Sequence, residues 1–501
     1  MPELNAEHKL TLIIGQDPGD KIGVSHNLDY KRIDDPIKIS LTDLQRETIQ
    51  VLVKMLREDR LHNDDEVALL GSHLYSVLFE DGNGQPNDIG RALDQALYEN
   101  EDSATAVRLL RVELVFTERQ SFLANWPWEY LCPPRTKRFL TEMTRLVLTR
   151  ELPVRHNPRS LLVTDLPVKV LFVIASPDDL DPVEYTSVFE TLKGLQDPTK
   201  LLILPPLISQ FTKKEDRPQR KRPEATWDNF VERVYNDEPH IIHFIGHGKW
   251  EDEKGFVAFM KADGIADWVS DDELGRLGTH ELPKLRLVFL QACESAFSNS
   301  NSSNTYQAFS GVANLLAMGN IPAVVAMQYK IRMDIANLFA RTFYEALTLS
   351  DPVDVAVQKG RSRIQSRMRT SSGGHRYDFC LPVLYLRGKG GQLQLIPSST
   401  TSLLPPNGDS ASFTSQQTTQ PEPGDNKLQL QSVSFTCWYC DSPCDSDDNY
   451  CRVCKINLKC PNCRARIKKG SDICTGCGYS IPKSEPATVS SKGPHSTGNL
   501  G

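Results

Sequence analysis

Two residues that could act as a nucleophile and its base stand at the ends of apolar runs. His247 lies in Gly246-His247-Gly248, after a run at 240–246, and Cys293 lies in Gln291-Ala292-Cys293-Glu294-Ser295, after a run at 285–292. A cysteine attacks a carbonyl carbon as the thiolate, and a neighbouring imidazole promotes that form. Each residue alone has an ordinary explanation, the cysteine as a small buried side chain and the histidine as a turn cap between glycines. Their joint placement is what points to chemistry. In open α/β sheets the reacting groups sit beyond the carboxyl ends of the strands. If the two runs are adjacent strands, imidazole and thiol emerge side by side. The flanking glycines let backbone approach a substrate closely, and the N–H groups of Gly248 and Cys293 are candidates to hold a developing oxyanion.

A second pattern is metal-ligating. Of 12 cysteines, only Cys132, Cys293 and Cys380 precede residue 430, and nine fall between Cys437 and Cys477. Cys437-x2-Cys440-x10-Cys451-x2-Cys454 is followed by Cys460-x2-Cys463-x10-Cys474-x2-Cys477, the same spacings repeated after a shift of 23 residues. Each CxxC turns two thiolates toward one tetrahedral ion, and two such knuckles complete a four-cysteine site with no open position. Two structural zinc ions are therefore expected. Units this short bury too little apolar surface to fold alone, and zinc, worth roughly 10–16 kcal/mol per site in small peptides, would supply the folding energy. Cys444 falls outside the repeat and reads as a spare thiol. Basic residues around the cysteines (Arg452, Lys455, Lys459, Arg464, Arg466, Lys468 and Lys469) leave either a protein or a nucleic-acid partner open. Two four-thiolate zinc centres, each formally about −2, offset much of that charge.

Three histidines, His240, His243 and His247, raise the question of a metal in the first site as well. Side chains alternate along a strand, so 240 and 243 face opposite ways and do not converge on one ion. His243 reads as a sheet histidine supporting the site.

The elements that must position these residues follow from the pattern of apolar runs. Short strands are expected at 9–14 and 37–40, helices at 42–60 and 66–79, and strands at 109–116 and 144–149. Trp126 and Trp128 read as packing residues. From about residue 158, runs at 168–175, 201–204, 240–246, 285–292, 321–327 and 381–386 alternate with helical patterns. Strands apolar on both faces, alternating with helices, indicate a mostly parallel sheet covered on both sides. Residues 397–432, rich in Ser, Thr, Gln and Pro, read as a disordered linker. The Cys-rich module then occupies 433–482 and a polar tail 483–501.

Composition narrows the function classes. A net charge of −7 and a pI near 5.9 argue against a chain that coats nucleic acid or an anionic membrane. No run approaches the ~18 apolar residues of a membrane span, and residues 1–9 show no secretory pattern. The cytosol is the expected compartment, where thiols stay reduced.

The blocks HIIHFIGHG, LVFLQACESA, GVANLLAMGNIPAVVAMQ, FYEAL, PVDVAVQKGR and DFCLPVLYLR, preceded by LLRVELVF, ANWPWEYL and KVLFVIASP, resemble in order those of the CHAT peptidases, which are caspase- and separase-related. The resemblance spans roughly residues 40–395. It implies an α/β, caspase/separase-like fold with a protease domain at 156–396. It also implies an N-terminal α/β pseudo-protease-like region at 1–155, packed against the active half. Carried over by position, His247 is the general base, Cys293 the nucleophile and Gly248 an oxyanion donor. Ser295 replaces the Thr common in the family and keeps the hydroxyl. Gln291, two residues before the nucleophile, is the candidate for the substrate pocket and argues against a basic P1 residue. Asp271, Asp272 and Glu273 could supply acid from a loop. The Cys-rich region looks like a double zinc ribbon.

The expected activity is thus that of a cysteine endopeptidase acting on a specific protein substrate. The resemblance permits a regulated bacterial defence or cell-death role, with a pore-forming protein released by cleavage. The alternative is a catalytically idle scaffold that binds protein or nucleic acid through its zinc ribbons.

Overall fold

A computed structural model of the chain describes residues 7–16, 22–28, 31–32, 37–39, 41–58, 60–61, 63–98, 109–153, 160–183, 185–209, 225–251, 254–277, 282–292, 303–319, 321–329, 331–369, 377–387, 394–396, 435–436 and 443–444. It forms two units, residues 1–404 and 405–501.

The first unit begins with β1 (Glu7–Gln16), β2 (Ile22–Leu28), β3 (Lys31–Arg32) and β4 (Ile37–Ile39), then α1 (Asp43–Arg57), α2 (Asp64–Phe79) and α3 (Asp88–Tyr98). Strands β5 (Leu109–Phe116), β6 (Leu146–Glu151) and β7 (Val168–Ile174) follow, then α4 (Thr186–Lys193), β8 (Leu201–Ile203), β9 (Leu207–Ile208) and α5 (Trp227–Asp237). Next come β10 (Ile241–Gly246), β11 (Gly248–Glu251), β12 (Lys254–Met260), β13 (Ala266–Ser270), α6 (Asp271–Leu277) and β14 (Leu287–Ala292). The unit closes with α7 (Ser303–Met318), β15 (Ala323–Met327), α8 (Met333–Thr348), α9 (Val353–Arg369) and β16 (Pro382–Leu386). Local signals set the helix starts. Thr42 and Gln45 form a reciprocal capping box at α1, and the Asn63 and Thr226 side chains accept from the third helical N–H of α2 and α5.

The sheet is mostly parallel and sandwiched by helices, as expected. Its order is β3-β2-β1-β5-β6-β16-β15-β14-β10-β7-β8, with β4 beside β2 and β9 beside β7. Strands β10 and β15 are buried at every position, which only strands covered on both faces require. The N-terminal half meets the other half edge to edge. Its strands extend the same sheet, because β16 pairs with β6 on one side and antiparallel with β15 on the other. Both halves belong to the first unit.

Several elements were not expected, β2, β3 and β9 among them. α3 forms, β11–β13 make a separate antiparallel sheet after His247, and α6 begins at Asp271. The acids 271–273 are thus a helix start rather than a loop. The Asp271 carboxylate accepts from the Gly255 and Asp272 amides (2.8 and 2.9 Å), Asp272 pairs with Lys254 (2.8 Å) and Glu273 accepts from the Ser270 amide (3.0 Å). Among the described residues no helix is long and apolar enough to cross a membrane.

In the second unit, β17 (Phe435–Thr436) and β18 (Pro443–Cys444) pair antiparallel, Phe435 opposite Cys444 and Thr436 opposite Pro443. The linker at 397–432, the tail at 483–501 and the eight candidate zinc ligands, Cys437, Cys440, Cys451, Cys454, Cys460, Cys463, Cys474 and Cys477, lie outside the described residues.

Candidate active site

Strands β10 and β14 are parallel neighbours in register from Ile241↔Leu287 to Gly246↔Ala292. Adjacent strands lie about 4.8 Å apart, so the chain leaves both at one level of one sheet edge. The next residue after Gly246 is His247 and the next after Ala292 is Cys293. Cys293 itself lies outside the described residues.

Glycine is required at 246 for a packing reason. A Cβ there would meet the Ala175 carbonyl at 3.0 Å and the Phe244 ring at 2.9 Å. The strand end is pressed against β7, and that contact aims the following residue. His247 is only 2 % exposed, and its Nε2 lies 2.8 Å from the Asp181 carbonyl oxygen. A carbonyl only accepts, so Nε2 carries the proton and Nδ1 carries the lone pair. The imidazole is thereby held in one tautomer by backbone.

The loop that supplies this carbonyl, between β7 and α4, is tied down at several points. The Val183 amide donates to Ser176 Oγ (3.1 Å), the Asp178 amide to the Gly264 carbonyl (2.9 Å), and the Ala266 amide to the Asp179 carboxylate (2.8 Å).

Gly248 opens β11, opposite Val257. The Ala258 amide donates to the His247 carbonyl at 3.0 Å. In an antiparallel ladder that bond makes Gly248↔Val257 a non-hydrogen-bonded pair. The Gly248 N–H therefore points away from β12, the orientation an oxyanion donor needs.

His243 and Gln291 face each other inside the fold. His243 Nε2 donates to Gln291 Oε1 and the Tyr344 hydroxyl donates to Nδ1, both at 3.2 Å, while the ring stacks on Phe289 with centroids 4.3 Å apart. Burial drives the His243 pKa down to about 3, so the ring stays neutral, and burial raises that of Tyr344. Gln291 is fully buried. Its side chain is a hydrogen-bond partner of His243 in this structure. The pleat explains why: residue 291 shares its face of β14 with Phe289, beside His243 of the adjoining strand. His240 lies at the other end of β10, where Nδ1 accepts from the Lys169 amide at 3.0 Å and Nε2 is 3.3 Å from Asp165. The three histidines have separate partners.

Two other thiols are described. Cys132 and Cys380 are fully buried, and burial pushes Cys132 up to about 12 and Cys380 well above the usual thiol range. Neither forms a thiolate at neutral pH.

Sequence reasoning missed a buried polar cluster one strand farther along. Glu129, just before the end of a turn at Trp128–Tyr130, pairs with Arg150 of β6, and both meet Gln328, which follows β15. The Gln328 amide donates to Glu129 Oε2 at 2.7 Å, and Arg150 Nη2 donates to Gln328 Oε1 at 2.9 Å. Nearby, Arg111 of β5 and Asp354 of α9 form a second buried pair at 2.6 Å. A charged residue within a mainly apolar stretch, as at Arg111 in LLRVELVF, was the available signal.

Residues 87–420 match the family described as CHAT domain. No curated protein matches the chain. Among solved structures, the chain is similar to separase in the Saccharomyces cerevisiae separase–securin complex (12% identity, TM-score 0.40, 76% of this chain and 30% of that one). It is also similar to the Arg-specific cysteine proteinase gingipain R (11% identity, TM-score 0.34, 61% of this chain and 68% of that one). The chain thus spans under a third of the separase chain's length.

Proposed function

The chain belongs to the CHAT-domain family, and on that premise we propose that it is a cysteine endopeptidase in which Cys293 is the nucleophile and His247 its base. The observation that carries the reading is the Gly246↔Ala292 register, which makes 247 and 293 the next residues off two adjacent strand ends.

Each step has a group suited to it. His247 Nδ1 takes the thiol proton, and the sulfur attacks the scissile carbonyl carbon. The Gly248 N–H donates to the oxyanion. When the C–N bond breaks, the imidazolium returns the proton to the leaving amine, and a thioester remains. Water, deprotonated by the same nitrogen, then hydrolyses the thioester and restores the thiol. The Asp181 carbonyl stabilises the imidazolium that forms twice in the cycle and keeps the ring from turning.

The expected substrate is a protein, and a pore-forming protein released by cleavage is one candidate. A fluorogenic peptide library and a lysate digest, each run with wild type and Cys293→Ala, test this. Turnover by wild type alone supports the reading. Equal turnover by both proteins overturns it.

We also assign two structural zinc ions to the second unit. Apart from Cys444, its cysteines fall in four Cys-x2-Cys pairs, beginning with Cys437-x2-Cys440. This fits the short turn a two-thiolate knuckle needs. Zinc there supplies cross-linking and folding energy, not catalysis. Elemental analysis of purified protein should find about two zinc ions per chain, and fewer than about one contradicts two four-thiolate sites.

A further inference from the structure

Beside the nucleophile's strand, on the side away from His247, stands β15. Its register with β14 runs to Leu290↔Ala326. Continued by two residues, it sets Gln328 level with Ala292, the last described residue of β14. Beside the end of β14 at this sheet edge thus stand His247 on one side and the segment Gln328–Tyr329 on the other. Gln328 and Tyr329 are 5 % and 6 % exposed.

The N-terminal half and the residues before β16 together hold this segment. The Gln328 side chain is bracketed by Glu129 and Arg150, and its amide also reaches the Cys380 carbonyl at 3.3 Å. The Gln328 backbone N–H donates to the Leu381 carbonyl at 2.9 Å. Arg150 in turn is fixed by two bonds to Glu129 and one to the Ala124 carbonyl. Arg57, at the end of α1, hydrogen-bonds the Tyr329 hydroxyl. A segment held by two charged residues and a helix end has little freedom to move.

We propose that Glu129 and Arg150 are positioning residues of the active site, clamping Gln328 so that the segment 328–329 forms a fixed wall beside the nucleophile against which the substrate is oriented. This rests on the assignment of Cys293 and His247 above. It gives the N-terminal half a part in catalysis without a residue that touches the reacting atoms.

The test compares Gln328→Met and Glu129→Gln with Asp354→Asn, which weakens a buried pair at the same seam that does not touch Gln328. Gln328→Met leaves the Glu129–Arg150 pair intact and serves if Glu129→Gln fails to fold. For each full-length protein, kcat and KM are measured on the best peptide of a fluorogenic tetrapeptide library. The thermal midpoint and the rate of Cys293 alkylation by iodoacetamide, resolved by peptide mass spectrometry, are measured beside them. A positioning role predicts that Gln328→Met and Glu129→Gln lose tenfold or more in kcat/KM, with alkylation within about twofold of wild type. Asp354→Asn should keep its kcat/KM despite a lowered midpoint. Wild-type kcat/KM in both clamp variants, or an equal loss in Asp354→Asn, overturns the proposal while the dyad stands. Wild-type Cys293 that reacts no faster than an unactivated thiol instead overturns the dyad, and this proposal with it.

Discussion

The Nε2 of His247 and the backbone carbonyl of Asp181, 66 residues apart in the chain, are 2.8 Å from each other. A general base is ordinarily oriented by a carboxylate. In the mechanism proposed above a peptide group does that work for His247, so the orientation depends on where a loop sits rather than on which side chain the loop carries.

The two residues of that loop should therefore behave in opposite ways. Asp181→Ala leaves the carbonyl in place and should retain turnover within about twofold. Asp179→Ala removes the tether to the Ala266 amide and should lower kcat by roughly tenfold, since small displacements of a catalytic group are costly. Its cost to stability should be only about 1 kcal/mol. Steady-state kinetics with a thermal melt on each variant decides. A larger loss from Asp181→Ala would show that the side chain, not the backbone, orients the base.

Thiol reactivity should separate the cysteines of the first unit. With burial holding Cys132 at about 12 and Cys380 well above the usual thiol range, neither should be alkylated in the folded protein at pH 7. Cys293 should react fast, and His247→Ala should slow it by about tenfold or more. Brief iodoacetamide treatment followed by peptide mass spectrometry reads all three. Labelling of Cys380 at the rate of Cys293 contradicts this.

Acid sensitivity should trace in part to His243. The folded protein keeps this ring neutral down to a pKa of about 3, against 6.5 ordinarily. Below pH 6.5 the unfolded chain binds a proton there that the folded chain does not. Stability is thus fully present above pH 6.5 and lost as the pH falls toward about 3, with a slope approaching ~1.4 kcal/mol per pH unit for one proton. His240, also lowered chiefly by burial, adds to the slope. His243→Phe keeps an aromatic ring beside Phe289 and removes the titration. Its thermal midpoint should depend less on pH between 6.5 and 4.5 than that of wild type. Parallel curves for the two proteins would rule out this assignment.

The parts of this fold legible from sequence were those that one strand or one spacing determines. The run at 240–246 is apolar on both faces, so its buried, central position followed directly. The opposite placement of His240 and His243 followed from the pleat. The core contact of Gln291 did not, because it depends on His243 of the neighbouring strand, which reaches it diagonally while Ile245 stands directly opposite. The sheet β11–β13 escaped notice because Lys249, Glu251 and Lys254 interrupt its apolar pattern. Acids 271–273 read as loop because a helix of seven residues has little periodicity to display. The Arg111–Asp354 pair joins positions 243 apart, a relation that no local pattern encodes.

The strand that joins the two halves of the sheet, β16, is the last of that sheet in chain order. While the protein is being synthesised, β6 must therefore wait on the ribosome with an unpaired edge until residues 382–386 emerge. Glu129 and Arg150 likewise wait for Gln328. A growing chain holds His247 and Cys293 long before it holds the strand that unites the halves, so peptidase activity should arrive late, when the unit is all but complete.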